Sequence, residues 1–448
     1  MTKPSAIPVI IGSEAGRERL MRTRRRSLRA PELPEPALSE LRERFGGDAT
    51  PVSAVRQILT DVEERGDAAL EHWSQTLDDC SPDPLSLGPE RMQEAYDRLD
   101  PELRGSLERA RDRIREFHQA EPVPDWSIKT MGGRLGQRLT PIQRVGIYVP
   151  GGSAPLPSSL LMSAVPARIA GVPELIVATP PPAPAIILAA AHLSDVTTVV
   201  QVGGAQAVGA LAFGTETVPA VDKVVGAGGL FVTLAKREVF GVIGIDGLFG
   251  PTETLIIADE TADPEWLAAD LLAQAEHDPL ATAVLLVTEE ELATSTQAAA
   301  ERQLEHLDRR EIILSSLDGQ GGIIVVDEVQ DALRLSNEFG PEHLCLSVRD
   351  PAGLVDNVTN AGGVFLGERS GEVLGDYVAG PSHVMPTGGS ARFAGPLSVR
   401  DFVKASSVIG LDESTARDLA PDAIRLARAE GLTAHAAAAE LRTEVDDV

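Results

Sequence analysis

Between Val145 and Gly250 the chain repeats one unit: a short apolar run, a glycine-bearing turn and a stretch of helical length. "RVGIYVPGG" is followed by "PSSLLMSAVPARIAGV", "ELIVATPPP" by "AIILAAAHL" and "TTVVQVGG" by "AQAVGALAFG", and "VDKVVGAGG" closes the series. Strand, turn and helix at this spacing mean βαβ units and a mainly parallel sheet. Ligands of such sheets sit at the carboxyl ends of the strands, where these turns lie. The turns Gly151-Gly152-Ser153, Gly203-Gly204-Ala205-Gln206 and Gly226-Ala227-Gly228-Gly229 would let a backbone approach a pyrophosphate, with helix N-termini supplying N–H groups. None completes G-x-G-x-x-G followed by a ribose-binding acid, so nucleotide binding and plain tight-turn packing both stay open on the residues alone.

A second α/β array follows Val242-Ile243-Gly244-Ile245 and Gly250-Pro251-Thr252-Glu253. It reads as the strand "TLIIAD", a helix "EWLAADLLAQAEH" opened by Asp263-Pro264, the strand "ATAVLLVT", a helix over 289–309 and the strand "GGIIVVD". An N-cap acid with Pro at the first helical position is a helix start with a mechanism. Gln274 and His277, three apart, are expected on one face near the helix end. Val329 to Phe339 reads as the next helix and Leu344 to Val348 as a buried strand. Between them stands Gly340-Pro341-Glu342-His343, an acid and an imidazole where a helix hands over to a strand, an address that suits catalysis as well as a solvated turn. The segment "AGGVFLGERSGEVLGDYVAGPSHVMPTGGSARF" is Gly- and Pro-rich, and too long for an idle connection. It holds Asp376, Tyr377 and His383.

The flanks are plainer. Residues 1 to about 45 read as an arm with no core of its own. Helical spacing starts at Pro51, breaks at Gly66 and resumes through Trp73, and a second helix is expected over Glu90 to Gln119. Two strands are expected around Gly132-Gly133, and Ala- and Leu-rich helices over the last fifty residues, broken at Gly431 between Glu430 and His435. At 448 residues the chain calls for two domains with smaller appendages. A net charge of −27 argues against nucleic acid or an anionic membrane as partner, and mildly favours a cationic substrate. Cys80 and Cys345 are too few for a disulfide framework and fit a reducing compartment. No apolar run reaches membrane-spanning length, and the basic stretch from Arg22 to Arg29 runs into Pro-rich sequence rather than an apolar signal core. The expected location is cytoplasmic.

Zinc takes His nitrogens and carboxylate oxygens and, when catalytic, keeps a position for substrate. His277, Asp376, His383 and His435 are candidates by type. Taken singly, His277 also reads as a helix-end imidazole at the negative pole, and His435, next to an Ala run, is equally plain.

"YVPGGSAPLPSSLLMSAVPARIAGV", "GGAQAVGALAFGTETVPAVDKVVG", "FVTLAKREVFG", "GPTETLIIADE", "DLLAQAEHD", "FGPEHL", "LGDYVAGPSHVMPT" and "EGLTAHAAA" together resemble the zinc- and NAD-dependent histidinol dehydrogenase family, in order, from about residue 50 to about 440. The resemblance implies two incomplete Rossmann-like domains with helical tails, in an intertwined homodimer. Its divisions fall at 1–45 (arm), 46–144 with 251–397 (catalytic), 145–250 (NAD side) and 398–448 (a tail completing the partner's site). It also implies one zinc per subunit on Gln274, His277, Asp376 and His435, with His435 and Glu430 reaching over from the partner subunit. Glu342 and His343 match the acid/base pair. Thr252, His383 and Glu430 match substrate contacts, as do the zinc ligands and His343. Tyr148, Gln206 and the position of Gly229 match NAD contacts. The implied reaction takes L-histidinol through the aldehyde to L-histidine and reduces two NAD+.

Three positions depart from the family's usual residues. Ala227-Gly228-Gly229 stands for P-G-N, Thr252 for Ser, and Pro381-Ser382 for Thr-Asn. A paralogous zinc/NAD dehydrogenase of another small polar alcohol, such as a sulfonated diol, is the alternative within the fold. A zinc hydrolase using Glu342 is the alternative outside it, and it leaves the 145–230 array without a purpose.

Overall fold

The computed structural model describes residues 7–27, 35–151 and 155–443. Gly152 and Ser153 of the first glycine turn lie outside the described residues. The chain divides into two compact units, Met1–Ala120 with Gln143–Ser398, and Glu121–Ile142 with Val399–Val448.

The larger unit is mixed α/β and carries two six-stranded sheets. The first runs, edge to edge, Val9–Ile11, Gly322–Val325, Thr282–Val287, Glu253–Ala258, His343–Ser347 and Gly363–Leu366, every pair parallel. Thr282–Val287 and Glu253–Ala258 are buried along their whole length, as strands covered on both faces are. Alternate residues feed separate cores. Ile256 and Ala258 join Leu267, Leu271 and Leu317, whereas Leu255 and Ile257 join Leu20, Leu333 and Phe339. The second sheet runs Ser86–Leu87, Thr198–Gln201, Glu174–Thr179, Arg144–Tyr148, Lys223–Val225 and Gly244–Ile245, antiparallel only at its first pair. Chain order reverses beside Arg144–Tyr148, so Tyr148 ends its strand at a topological switch point.

Several sequence expectations change. Residues 9–27 are no loose arm: Val9–Ile11 is a sheet edge and the following helix, Ser13–Ser27, buries Leu20. A three-residue strand is too short to show periodicity. Helices Pro51–Arg65 and Asp67–Asp78 set Val55, Ile58, Val62 and Leu70 into one core with Val208 and Leu211 of the second sheet's layer. They therefore pack with the 145–250 array rather than with the catalytic array. The helix expected over 90–119 is two, Pro89–Asp97 and Pro101–Gln119, because the Asp100 side chain caps Glu102 and Leu103 N–H and Pro101 opens a new helix. The helix expected over 289–309 ends at Leu304, and Arg310–Gly319 is separate.

The smaller unit holds a three-stranded antiparallel sheet in which Arg134–Pro141 lies between Trp126–Ile128 and Val403–Gly410. The C-terminal tail is therefore not wholly helical. Helices Glu413–Ala429 and Thr433–Glu440 follow, and Leu419, Leu426, Leu432 and Leu441 are exposed there. No helix among the described residues is long and apolar enough to cross a membrane.

One buried ion pair pins the second sheet's carboxyl edge. Lys236 and Asp246 side chains are each 2% exposed. Lys236 Nζ donates to Asp246 Oδ1 and, at 2.9 Å, to Gly226 O, and Asp246 Oδ2 accepts from Gly226 N at 2.7 Å. Both polar groups of Gly226 are thus fixed, at a residue whose φ of +106° places a would-be Cβ 2.2 Å from Tyr148 O. Removing one partner leaves the other charge buried and unpaired. We expect Lys236→Met to lower unfolding free energy by about 3–5 kcal/mol, read as a fall in the urea midpoint. Arg56→Met, at the exposed Arg56–Glu238 pair, should leave that midpoint within error.

Candidate active site

Helix Val329–Phe339 ends in Gly340 at φ +69°, a left-handed cap whose N–H donates to Ser336 O. Pro341 then turns the chain into the strand that begins at His343. Parallel register sets His343 beside Thr254 of the neighbouring strand, so Thr252, Glu253 and Thr254 face Glu342 and His343 across one strand gap. Thr252 Oγ1 donates to Glu342 Oε2 at 2.7 Å and the Glu253 N–H to the same oxygen at 3.0 Å. Gln274 Nε2 donates to Thr252 Oγ1 at 3.1 Å, completing a chain Gln274–Thr252–Glu342. Glu342 is buried, and burial pushes its carboxyl up to about 7 against the pull of His343 and both hydrogen bonds. His343 Nδ1 lies 3.9 Å from Glu342 Oε2 and 3.4 Å from Glu372 Oε1, and the buried Nε2 has no hydrogen-bond partner.

All of this sits at the amino-terminal ends of the first sheet's strands. The glycine turns of the second sheet, by contrast, lie at the carboxyl ends of its strands.

Gln274 occupies the last turn of helix Pro264–Ala275, which Asp263 caps as its sequence predicts. His277 lies two residues beyond that helix rather than on it, its N–H 3.4 Å from Gln274 O. Gln274 Oε1 is buried without a partner. Burial lowers the His277 pKa and holds the ring neutral. Asp376 is not in a loop but on the short helix Glu372–Tyr377, and burial, reinforced by Glu372, pushes its carboxyl up to about 7. An orphaned amide oxygen, a neutral imidazole and a carboxyl that burial has stripped of solvation fit the oxygen and nitrogen donors zinc takes. Among the described residues no group of three His, Cys, Asp or Glu side chains forms a metal cluster, and the expected donor set includes Gln274.

The His383 side chain is 13% exposed, and desolvation drives its pKa down to about 4. Nδ1 is 2.7 Å from Asp376 O and Nε2 is 3.0 Å from Ser159 Oγ. The carbonyl can only accept, so Nδ1 carries the proton and Nε2 accepts from Ser159. Ser159 begins helix Pro157–Ile169, which follows the strand ending in Tyr148, and so links the two sheets' elements at His383.

Of the residues expected to meet NAD, Tyr148 OH accepts from Gly204 N at 3.2 Å, and burial raises its phenol pKa. Gln206 is fully buried, Nε2 3.4 Å from Asp78 Oδ2 and Oε1 without a partner. Gly229 caps helix Leu230–Val239, and a Cβ built there meets nothing within 4 Å. Glu430 and His435 lie in the smaller unit, exposed on either side of Gly431.

The larger unit thus gathers Thr252, Gln274, His277, Glu342, His343, Asp376 and His383. Three participants escape the sequence reading: Thr254, Glu372 and Ser159. For Glu372 a signal exists, since it stands one helical turn ahead of Asp376 inside the Gly-rich segment.

The family model described as Histidinol dehydrogenase matches residues 44–443. A histidinol dehydrogenase of Deinococcus radiodurans is 48% identical over 417 residues, covering 92% of this chain and 95% of its own length. One of Thermus thermophilus is 50% identical over 412 residues, covering 91% and 99%. The crystal structure of histidinol dehydrogenase from Elizabethkingia anophelis superposes with a TM-score of 0.88 at 31% identity, covering 98% of each chain. With the fold, the buried acid/imidazole pair and the orphaned donors already in place, these matches establish that the chain belongs to the histidinol dehydrogenase family of NAD-dependent, zinc-binding oxidoreductases.

Proposed function

We propose that the chain oxidises L-histidinol through L-histidinal to L-histidine, delivering one hydride to NAD+ in each half of the reaction. The observation that carries this reading is the Gln274–Thr252–Glu342 chain beside an unpartnered His343 Nε2, in a protein about half identical to histidinol dehydrogenases. His343 takes the hydroxyl proton at Nε2, a role its free lone pair suits. Glu342 then takes a proton from the water that hydrates the aldehyde, and a carboxyl pushed up to about 7 is basic enough for that step. Thr252 and the Glu253 N–H hold the Glu342 carboxylate in place meanwhile. His383, kept neutral by burial, contacts the substrate. Gln274, His277 and Asp376 would hold one zinc, with the partner subunit's His435. Zinc, when bound, anchors the amino alcohol and offsets charge without redox change.

Tyr148, Gln206 and the Gly229 turn receive NAD; the unpartnered Gln206 Oε1 beside Tyr148 supports this placement. The exposed leucines of the two C-terminal helices support an intertwined homodimer in which the partner subunit's Glu430 completes the site. The activity is placed in the cytoplasm, in keeping with Cys80 and Cys345, which are both free thiols.

Zinc-loaded protein given L-histidinol and NAD+ should form two NADH per histidine, and Asp376→Ala should lose both zinc and turnover. A folded, zinc-bound wild type that forms no NADH from histidinol would overturn the substrate assignment. Gly229→Asn, which enters open space, should lower KM for NAD+ by about 2- to 10-fold, the worth of one hydrogen bond, with kcat unchanged.

The buried acids also set a pH dependence. Glu342, Glu372 and Asp376 have folded pKa values raised to about 7, 8 and 7, so the folded state binds more protons than the unfolded one, and their contribution falls as pH rises. His383, lowered to about 4 from 6.5, acts oppositely but only below 6.5. Metal-free protein should therefore lose stability as pH rises from about 4.5 to 8, most steeply just above 6.5 where His383 no longer opposes the acids, and thermal melts should show added zinc removing that decline.

A further inference from the structure

The proposed base has a second buried acid behind it, and that acid has no part in the reaction described so far. Glu372 opens the helix that carries Asp376 and is 6% exposed. Its two oxygens are turned to different partners among the described residues. Oε2 accepts from Thr254 Oγ1, and Oε1 lies 3.4 Å from His343 Nδ1. Thr254 Oγ1 is itself 3.4 Å from the same Nδ1. Strand register sets Thr254 beside His343, so the clamp is built into the sheet.

A neutral imidazole has one nitrogen that donates and one that accepts, and its partners decide which. An ionised carboxylate only accepts. Facing Nδ1, it holds the proton there and leaves the lone pair on Nε2, the buried nitrogen without a protein partner. Glu342 is the competing candidate for this duty and is poorly placed for it. It is farther away, at 3.9 Å, and the oxygen nearest Nδ1 already accepts from Thr252 and from Glu253 N–H. The Phe365 ring, its centroid 5.8 Å from that of His343, offers the imidazole an apolar flank and no hydrogen-bond acceptor.

We propose that Glu372, seated by Thr254, is the positioning residue that fixes the tautomer of His343 and stabilises its imidazolium when Nε2 takes the substrate's hydroxyl proton. The step balances: the O–H proton passes to Nε2, the carbinol C–H leaves as hydride to NAD+, the carbonyl forms, and the Nδ1 proton stays between ring and carboxylate. A buried imidazolium without a counter-charge is strongly disfavoured, and Glu372 supplies that charge without touching the substrate. The same logic orients a histidine in a hydrolase triad. Burial pushes the Glu372 carboxyl up to about 8, so the carboxylate that clamps Nδ1 is the form the neighbouring imidazolium favours rather than the one burial favours.

This inference rests on the histidinol reading for its kinetic arm only. Glu372→Gln keeps size and hydrogen bonding but removes the charge, and Glu372→Met removes both. In zinc-loaded full-length enzyme, kcat for histidinol should fall by about 10-fold in the first and about 100-fold or more in the second. KM and zinc content should stay within about twofold of wild type, and Glu372→Asp should recover part of kcat. Nitrogen NMR of histidine-labelled protein should show His343 protonated at Nδ1 in wild type, with that preference lost in Glu372→Met. Wild-type kcat in both variants, or a His343 protonated at Nε2 in wild type, would overturn the proposal. Should Glu372→Met fail to fold, Glu372→Gln and the wild-type spectrum decide. Should wild type not turn over histidinol, the substrate reading fails and the spectrum alone decides this one.

Discussion

The parallel pairing of Glu253–Ala258 with His343–Ser347 is the constraint from which the site follows. One register places Thr252, Glu253 and Thr254 against Glu342 and His343, and a slip of one residue would turn every side chain to the opposite face. Both strands are buried throughout, with alternate residues committed to separate cores, so that slip would expose one core and fill the other with polar groups. The positions of the Glu342 and His343 side chains are thereby fixed by packing energy far larger than any hydrogen bond within the site.

Such a setting is hostile to charge. Glu342, Glu372 and Asp376 all sit where burial favours the neutral acid, and His277 and His383 where it favours the neutral ring. Hydrogen bonds from Thr252, Thr254 and Glu253 N–H partly offset this for two of the acids. For Asp376 the largest opposing influence is His343. Acids neutralised by burial are the groups whose charge a nearby cation would change most.

Local signals were legible in the chain and distant ones were not. The helix Val329–Phe339, the Asp263-Pro264 start and the break at Gly66 follow from periodicity and caps, which are properties of a few neighbouring residues. Val403–Gly410 left no such trace, because it is exposed almost throughout and has no buried face to impose alternation. Val9–Ile11 is too short. His277 was placed on a helix that stops at Ala275. The convergence of Thr252, Gln274, Glu342, Asp376 and His383 depends on strand order, and no spacing along the chain encodes that. Only the set of long motifs in register carried it, through likeness to a family. Glu372 escaped even that reading, since an acid in a glycine-rich stretch resembles a solvated loop until Thr254 is seen beside it.

The placement of chemistry on an amino edge has its own consequence. Strands of the second sheet end in glycine turns at their carboxyl edge, the edge at which such sheets take their ligands. At the amino edge of the first sheet, backbone N–H groups such as that of Glu253 point outward from the strand starts and meet a carboxylate instead. The amino edge of the first sheet thus holds acids and imidazoles. Ser159, at the start of a helix from the second array, reaches His383 in the segment that also carries Asp376.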